Sequence, residues 1–282
     1  NNNKYPKTYE EAFNREYKFW STQPVPLLNE FIGKDEMIDK NIKEVINNEE
    51  FFKLPEGYEW NTINLNDLKD IERFSNFINK YYYEKSKKFR SHYTPKFLKW
   101  LLPSDNSEKN LLLVVQVKEN KSIVGSICSK ITKIQINKKK FTLPKINFLC
   151  VHPKLREKRL APVMIKEISR RLSINNEVAF FVNNIYIAKP FFVAKRYFRA
   201  LNIKPLIETG FSQIKTSKKP EKSVESVESV EIDDIQKTLQ MPKETINKNF
   251  DLLQEDDIKE CFKLFEEYSE KYNFYPIFTE NE

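Results

Sequence analysis

The chain of 282 residues carries 48 basic and 40 acidic side chains, which give a formal charge of +8. This length permits one large domain or two small ones with a substantial core. Because no apolar run approaches the roughly 18 residues of a membrane-spanning helix, we expect no transmembrane segment.

The basic excess does not by itself indicate a nucleic-acid partner. Acidic residues are interspersed among the basic ones, and no basic tail stands apart. We therefore expect no nucleic acid among the partners. The sequence contains only four glycines, far from one another, so neither a P-loop nor a GxGxxG dinucleotide turn can be built.

The cysteines and histidines argue against a metal or disulfide framework. Cys128, Cys150 and Cys261 lie far apart and form no CxxC pair. His92 and His152 are the only histidines, which excludes a histidine-rich metal centre. We expect a protein of reduced, cytoplasmic surroundings that holds no metal and no permanently bound cofactor.

The N-terminal third predicts an arm, an edge strand and two helices. Residues 1–30 are polar and aromatic, and their prolines restrict the preceding residues to extended conformations, as expected of an arm laid over a domain. LPEGYEW (Leu54–Trp60) predicts a turn leading to an edge strand. Apolar residues at helical spacing predict a helix over Asp67–Tyr83, capped by Asn66 or Asp67, and a second helix over Pro95–Leu102.

The middle of the chain changes to a β-rich pattern. LLLVVQVK (Leu111–Lys118) and SIVGSICSKITKIQI (Ser122–Ile136) predict an antiparallel hairpin around the turn-like Glu119–Lys121. KINFLCV (Lys145–Val151) predicts another strand, which a helix over about Arg159–Leu172 follows.

The remaining elements complete a mixed pattern. We expect a strand over Val178–Ile187, a helix over Pro190–Leu201 and two short strands near Pro205–Ile214. SKKPEKSVESVESVE (Ser217–Glu231) is of low complexity and predicts an exposed, flexible loop. DLLQEDDIKECFKLFEEYSEKY (Asp251–Tyr272) predicts an amphipathic helix. Together these elements predict an α+β domain with a mixed sheet.

Cations cluster where the strand Lys145–Val151 meets the helix that follows it. Arg156, Lys158 and Arg159 surround a helix N-terminus, whose unpaired N–H groups and partial positive charge favour a phosphate. Pro162 suits the first turn of that helix because its missing N–H has no partner to lose there. The joint suits a pyrophosphate, although spacing alone favours solvated surface cations equally.

Several motifs resemble those of one enzyme family. INFLCVHPKLREKRLAPVMIKEISRRL (Ile146–Leu172) resembles the signature of the eukaryotic N-myristoyltransferases, which move a myristoyl chain from coenzyme A to an N-terminal glycine. FWSTQPVP (Phe19–Pro26) resembles a second motif of the family, and weaker matches occur at LPEGYEW, YTPKFLKWLL and RYFRALNIKPLIETGFS. These matches follow the family order across about Tyr17 to Ser212.

The resemblance implies a fold and a domain division. The fold is of the acetyltransferase (GNAT) type, a mixed sheet flanked by helices, with only the start of a second unit. We expect an arm covering the cofactor at 1–30, an acyl-CoA-binding domain at 31–215, a low-complexity linker at 216–244 and a helix opening a shortened second unit at 245–282.

The resemblance also implies the site. Phe148 and Leu149 would bend out of their strand so that their backbone N–H groups form an oxyanion hole for the thioester oxygen. Cys150 and Val151 would line the path of coenzyme A. The other cofactor contacts that the family pattern implies are Lys18, Phe19, Trp20, Arg156, Glu157, Lys158, Arg159, Leu160 and Ala161. Myristoyl-CoA would be the co-substrate, held in a deep apolar slot, and proteins or peptides with an N-terminal glycine would be the acceptors.

The sequence departs from the family pattern at several positions. Val182, within Phe181–Asn184, stands where the family has a hydroxyl near the attacking amine, and Glu157 replaces a serine at the joint. Tyr83–Lys85 replaces an acidic stretch that receives basic peptide residues, and Ser91 replaces an aromatic residue. The C-terminal carboxylate that removes the amine proton in the family has no counterpart that we can name.

These departures leave alternatives open. The chain could be an active myristoyltransferase, a module that binds long-chain acyl-CoA without turnover, or a divergent enzyme of the acetyltransferase superfamily. A nucleophilic pair of Cys150 and His152 is a further candidate, because residues two apart in a strand share a face. The family chemistry needs no such nucleophile, since the glycine amine attacks the thioester directly.

Overall fold

The computed structural model describes residues 6, 8–33, 52–82, 91–102, 111–173, 178–183, 185–212, 235–239 and 252–280. They contain a six-stranded mixed sheet. Its order is β1 (Tyr58–Thr62), β2 (Leu111–Val117), β3 (Ile123–Ile136), β4 (Lys139–Val151) and β5 (Phe180–Phe181), and β6 (Phe274–Pro276) pairs with the far half of β3. The pairs are antiparallel except that of β4 with β5, which is parallel.

The helices lie between and after these strands. They are α1 (Tyr9–Phe13), α2 (Leu68–Tyr81), α3 (Pro95–Leu101), α4 (Leu160–Ser173), α5 (Ile203–Glu208) and α6 (Ile258–Ser269), and residues 235–239 are also helical. Short 3₁₀ helices occur at Trp20–Thr22, Pro153–Leu155 and Glu255–Asp257. The predicted α+β fold is confirmed.

Side-chain caps explain where two of the helices begin. The Asp67 side chain accepts a hydrogen bond from the Lys69 amide at 2.9 Å, and the Thr94 hydroxyl accepts one from the Phe97 amide at 3.1 Å. Pro95 occupies the first turn of α3, where its missing N–H has no cost. Both caps satisfy amides that the helix itself leaves unpaired.

The sheet separates two apolar clusters. One contains buried residues of α2 and α3 together with sheet residues such as Cys128, Phe148 and Cys150. The other contains Met164, Ile168 and Leu172 of α4 with further sheet residues. Helix α4 approaches β3 so closely that a Cβ atom on Gly125 would lie 2.8 Å from Met164 Sδ. Met164, Ile168 and Leu172 are therefore the residues with which this helix packs on the sheet.

The described residues belong to two compact units. One falls within Asn1–Phe192 and Glu267–Glu282 and contains the whole sheet, and the other is Val193–Glu266. In the second unit the Gln236 side chain accepts a hydrogen bond from the Ile203 amide at 2.7 Å and donates one to the Leu201 carbonyl at 3.1 Å. The four-part division expected from the sequence stays a prediction.

Four predicted elements in the C-terminal part are wrong or too long. Residues 190–201 form no helix, because Phe191 and Phe192 both pack on Phe274, with ring centroids 5.2 and 5.0 Å away, whereas consecutive helical residues point about 100° apart. The two strands expected near Pro205–Ile214 are wrong over the described residues 205–212, since Ile203–Glu208 is helical with its proline in the first turn. The predicted strand over Val178–Ile187 shrinks to Phe180–Phe181.

The other predicted elements are found near their expected positions. The hairpin, the two N-terminal helices and the helix after the joint are confirmed, and the last helix spans Ile258–Ser269. The low-complexity stretch Ser217–Glu231 and the substituted segment Tyr83–Lys85 lie outside the described residues.

The Glu167 carboxylate on α4 is fully buried and anchors the segment before β1. It accepts hydrogen bonds from Arg170 Nη2 at 2.9 Å, from Arg171 Nε at 2.7 Å and from the Phe52 amide at 3.1 Å. Burial raises the pKa of Glu167, but these hydrogen bonds outweigh it and hold the pKa below the ordinary carboxyl value. The Phe52 carbonyl oxygen in turn accepts a hydrogen bond from Trp60 Nε1 at 2.8 Å. The Glu167 carboxylate therefore links α4 to the edge strand through Phe52.

We expect Glu167→Gln to lower the free energy of unfolding at pH 7 by about 3 kcal/mol, because it leaves two partly buried arginines without their anion. The folded-state pKa is depressed, so the stabilisation is present above the ordinary carboxyl pKa of about 4.3 and is lost as the pH falls through the folded value. Urea unfolding at pH 7 and under acid conditions measures the difference, with the exposed Glu72→Gln on α2 as the matched control. Equal unfolding free energies for the wild type and Glu167→Gln at pH 7 would contradict this anchoring role.

Candidate functional site

Strand β4 departs from regular pairing at Phe148 and Leu149. Asn147 and Cys150 keep their ladder partners on β3, whereas the two residues between them together face only Ile127. Phe148 has a φ of +50°, a left-handed conformation that bulky residues rarely adopt. Two residues opposite one define a β-bulge, a feature that often lies next to active sites.

An aromatic cluster holds the Phe148 side chain. Its ring centroid lies 5.7 Å from Phe74, 5.3 Å from Tyr82 and 5.5 Å from Tyr93, and the residue is 5% exposed. Such ring pairs each contribute about 0.5–1.5 kcal/mol beyond their buried area, comparable to the cost of about 1–3 kcal/mol for a strained backbone residue. The cluster therefore stabilises a conformation that the backbone alone disfavours.

The peptide group between Phe148 and Leu149 has a defined direction. The buried Ser126 hydroxyl on β3 donates a hydrogen bond to the Phe148 carbonyl oxygen at 2.9 Å. The described residues contain no cis peptide bond, and in a trans peptide the N–H points opposite to the C=O. The Leu149 N–H therefore points away from β3.

Strand β5 covers only a short part of the other edge of β4. Its parallel pairing consists of Lys145 with Phe180 and Ile146 with Phe181. Beyond Ile146, no strand among the described residues pairs with that edge. We call this unpaired stretch of the β4 edge the opening; the outward Leu149 amide lies in it, and Leu149 itself is 36% exposed.

The basic joint follows β4 after one 3₁₀ turn. The side chains of Glu157, Lys158 and Arg159 are exposed. Glu157 and Arg159 have φ values of +66° and +62°, so the loop reverses sharply just before α4 begins at Leu160. The first amides of α4 have no partners within the helix. Together with the Lys158 and Arg159 side chains, they form a place where an anion can bind.

Arg156 has a different surrounding from the other cations of the joint. Its Nε donates to the Val151 carbonyl at 2.9 Å, and its Nη2 donates to the Tyr81 carbonyl at 3.0 Å. These hydrogen bonds tie the joint to the end of β4 and to the last residue of α2. The phosphate contact expected of Arg156 stays a prediction.

The N-terminal arm packs on β5. Trp20 stacks on Phe181 with ring centroids 5.3 Å apart, and Phe19 lies edge-on to Trp20 at 5.1 Å. The Tyr17 hydroxyl donates to the Tyr186 carbonyl at 2.7 Å. Lys18, Phe19 and Trp20 all line a cavity of about 290 Å³. Since Phe181 is the last residue of β5, the arm lies where the pairing of β4 with β5 ends.

A larger surface groove lies elsewhere. About 640 Å³ in volume, it runs along the edge strand β1, where Tyr58, Trp60, Lys118 and Arg171 are among its lining residues. None of the site residues expected from the sequence lines this groove. Neither this groove nor the arm cavity is lined by Phe148 or Leu149, so the apolar slot for an acyl chain stays a prediction.

The surroundings of Cys150 and His152 favour structural roles. Cys150 is 4% exposed and belongs to the apolar cluster that contains Phe148. His152 Nδ1 accepts a hydrogen bond from the Lys154 amide at 3.3 Å, and its ring lies edge-on to Tyr81 at 4.6 Å. His152 thus caps the 3₁₀ turn that follows it, which is a structural role.

Two further properties concern the described part of the chain as a whole. No helix there combines the length and the apolar character that crossing a bilayer requires. Within the same residues, no cluster of three or more His, Cys, Asp or Glu side chains could hold a metal ion.

Reasoning from the sequence missed the Ser126 hydroxyl and the use of Phe181 as a platform for the arm. A serine within the apolar run of β3 was a usable signal, because a buried hydroxyl needs a hydrogen-bond partner. The pairing of Trp20 with Phe181 joins residues far apart in the chain, and no local pattern indicates it.

A mixed sheet whose parallel strand pairing ends just before a bulge, beside a basic helix N-terminus, places the protein in the acetyltransferase-like class of folds. The family model described as "Myristoyl-CoA:protein N-myristoyltransferase, N-terminal domain" matches residues 37–193, more than half of the chain. The chain belongs to this family, and the resemblance noted in the sequence is confirmed.

Curated relatives and solved structures agree with this assignment. The chain is 34% identical over 273 residues to the glycylpeptide N-tetradecanoyltransferase of Plasmodium falciparum (isolate 3D7), covering 95% of this chain and 63% of that protein. It is 32% identical over 268 residues to the Dictyostelium discoideum enzyme of the same name, covering 94% and 62%. Crystal structures of Saccharomyces cerevisiae N-myristoyltransferase with bound myristoyl-CoA and inhibitors match with a TM-score of 0.79 and 30% identity, covering 95% of this chain and 59% of that one.

The chain spans only part of the proteins it matches. The covered share of the Plasmodium falciparum protein is 63%, and that of the Dictyostelium discoideum protein is 62%. The matched residues therefore correspond to somewhat less than two thirds of those relatives' length.

We expect Phe148→Leu to lower the free energy of unfolding by about 1–2 kcal/mol, because it removes three ring contacts that hold the bulge. Phe141→Leu, at a 38% exposed position on the same strand, is the matched control and should cost clearly less. Chemical denaturation of both variants measures the difference. If the two substitutions cost the same, the aromatic cluster does not stabilise the bulge.

Proposed function

We propose that this chain binds myristoyl-CoA and transfers its myristoyl group to the N-terminal glycine of a protein or peptide. The observation that carries the proposal is the bulge at Phe148 and Leu149, with an amide directed into the opening between β4 and β5. Family membership supplies the acyl donor and the acceptor, since the relatives are named as glycylpeptide N-tetradecanoyltransferases.

The amides at the bulge would act on the thioester. The glycine amine attacks the thioester carbon, a C–N bond forms, and negative charge develops on the carbonyl oxygen. The N–H groups of Leu149 and Phe148 would donate to that oxygen, a contact whose loss typically costs about a hundredfold to a thousandfold in rate. The C–S bond then breaks, coenzyme A leaves as its thiolate, and the nitrogen loses a proton, which the thiolate or water takes up, to give the amide product.

The basic joint would hold the phosphates of coenzyme A. The Lys158 and Arg159 side chains are exposed there, and the first amides of α4, at Leu160 and Ala161, complete an anion site. Glu157 is also exposed in the same loop, and its carboxylate repels phosphate oxygens. Cys150 and Val151, between the bulge and the joint, would line the path from thioester to phosphates.

The N-terminal arm would cover the cofactor. Lys18, Phe19 and Trp20 line one cavity, and Trp20 is fixed on Phe181 beside the opening of the sheet. A cation next to two aromatic rings suits a ligand that joins phosphates to a flat base. This placement supports the cofactor contacts expected of the arm.

The acyl chain gives the selectivity. Burial of apolar carbon contributes about 0.8 kcal/mol per methylene, so a fourteen-carbon chain gains on the order of 10 kcal/mol over a very short one before ordering costs. An enzyme of the myristoyl type should therefore discriminate strongly against acetyl-CoA.

The direct test is turnover by this chain. We expect incubation with myristoyl-CoA and a peptide that begins with glycine to produce the myristoylated peptide, which mass spectrometry detects, whereas acetyl-CoA leaves the peptide unchanged. An unmodified peptide together with tight myristoyl-CoA binding would reduce the function to that of an acyl-CoA-binding module. Transfer from acetyl-CoA would place the chain among acetyltransferases instead.

The phosphate assignment has its own test in a set of charge variants. We expect Arg159→Glu to weaken myristoyl-CoA binding by about tenfold or more, and Glu157→Ser to strengthen it by roughly threefold, because each changes the charge beside the phosphates. Lys166→Glu changes the charge of the exposed face of α4 by the same amount as Arg159→Glu and serves as the matched control. Calorimetric titration at low salt measures all three. Equal weakening by Arg159→Glu and Lys166→Glu would mean that the joint is not the phosphate site.

A further inference from the structure

We propose that Ser126 is a positioning residue of the acyl-transfer site, whose hydroxyl directs the Leu149 amide towards the thioester oxygen. The proposal rests on the function proposed above, because the amide needs a direction only if it serves a ligand. The family pattern implies roles for the bulge residues themselves and not for this residue of the neighbouring strand.

The hydroxyl is well placed for this role. Ser126 is completely buried, and its Oγ donates to the Phe148 carbonyl oxygen at 2.9 Å, across the strand pair at the bulge. A buried hydrogen bond of this kind is retained, because separating its partners leaves both without water.

The planarity of the peptide bond carries the effect from the carbonyl to the amide. The C=O of Phe148 and the N–H of Leu149 belong to one rigid plane and point in opposite directions. Any rotation that turns the carbonyl away from Ser126 therefore turns the amide away from the opening by the same angle. Holding the carbonyl on the β3 side fixes the amide on the other side.

The aromatic cluster cannot do this alone. Phe74, Tyr82 and Tyr93 contact the ring of Phe148, which is attached through Cβ, whereas the peptide plane rotates about the bond from Cα to the carbonyl carbon. The Ser126 hydroxyl opposes that rotation.

A misdirected amide should impair the chemical step more than binding. The charge on the thioester oxygen appears only as the amine attacks, so a donor aimed at it contributes to the transition state and little to the ground state. Loss of the Ser126 hydroxyl should therefore lower kcat and leave KM for myristoyl-CoA nearly unchanged.

The chain contains a matched control on the same strand. Ser129 of β3 is also buried, at 2% exposure, and its hydroxyl makes no hydrogen bond to any described residue. Ser129→Ala removes the same atom from a similar environment without touching the bulge. Ser126→Thr keeps the hydroxyl in a residue type that strands favour.

The first measurement is steady-state kinetics of myristoyl transfer. We expect Ser126→Ala to lower kcat by about tenfold with KM for myristoyl-CoA within about twofold of the wild type, less than the loss of a whole oxyanion donor because the amide is still present. Ser129→Ala should match the wild type, and Ser126→Thr should recover most of kcat. A raised KM with unchanged kcat, or equal kcat for the two alanine variants, would overturn the positioning role.

The second measurement needs neither ligand nor turnover. In NMR spectra of the ¹⁵N-labelled chain, we expect the Leu149 amide signal to be sharp in the wild type and in Ser129→Ala. In Ser126→Ala, rotation of the peptide plane on the microsecond to millisecond scale should broaden it, which relaxation dispersion detects. A wild type without transfer activity refutes the proposed function. The NMR comparison still shows whether Ser126 holds the Leu149 amide in place. An equally sharp Leu149 signal in Ser126→Ala overturns the inference.

Discussion

The bulge at Phe148 and Leu149 is held from two sides, by three aromatic rings around the Phe148 side chain and by the Ser126 hydroxyl on its carbonyl oxygen. Each contact is ordinary by itself. Together they keep a bulky residue at a positive φ in the middle of a sheet. With regular pairing, the amides there would be bound in the hydrogen-bond ladder. The outward amide, the opening beside β5 and the chemistry proposed for them all depend on this strained peptide.

The parts of the site are close in sequence to that bulge. Strand β4 leads through a short 3₁₀ turn into the basic joint and the first turn of α4, so the donors proposed for the thioester and for the phosphates follow one another between Phe148 and Ala161. The arm comes from far away in the chain, and one aromatic stack, Trp20 on Phe181, brings it to the same end of the sheet. A continuous segment therefore carries the proposed donors, and a long-range contact places the arm on β5.

This division explains what the sequence could predict. The hairpin, α2, α3 and the segment from β4 through α4 have strong local signals, namely apolar periodicity, caps and a basic joint, and they were predicted correctly. The helix expected over 190–201 is wrong because Phe191 and Phe192 both pack on Phe274. No local sequence pattern indicates that contact. The same limit applies to the hydrogen-bond partner of Ser126, which is on another strand, and to Arg156, whose hydrogen bonds to Val151 and Tyr81 distinguish it from its basic neighbours.

The central claim is that the bulge polarises a thioester carbonyl. Isotope-edited infrared spectroscopy of myristoyl-CoA labelled with ¹³C at that carbonyl measures this directly, because hydrogen bonds to the oxygen weaken the C=O bond. The account predicts that the carbonyl stretch moves to lower wavenumber when labelled myristoyl-CoA binds to this chain. A ligand that binds with its carbonyl stretch at the value found in water or in an apolar solvent, or above it, would contradict the account.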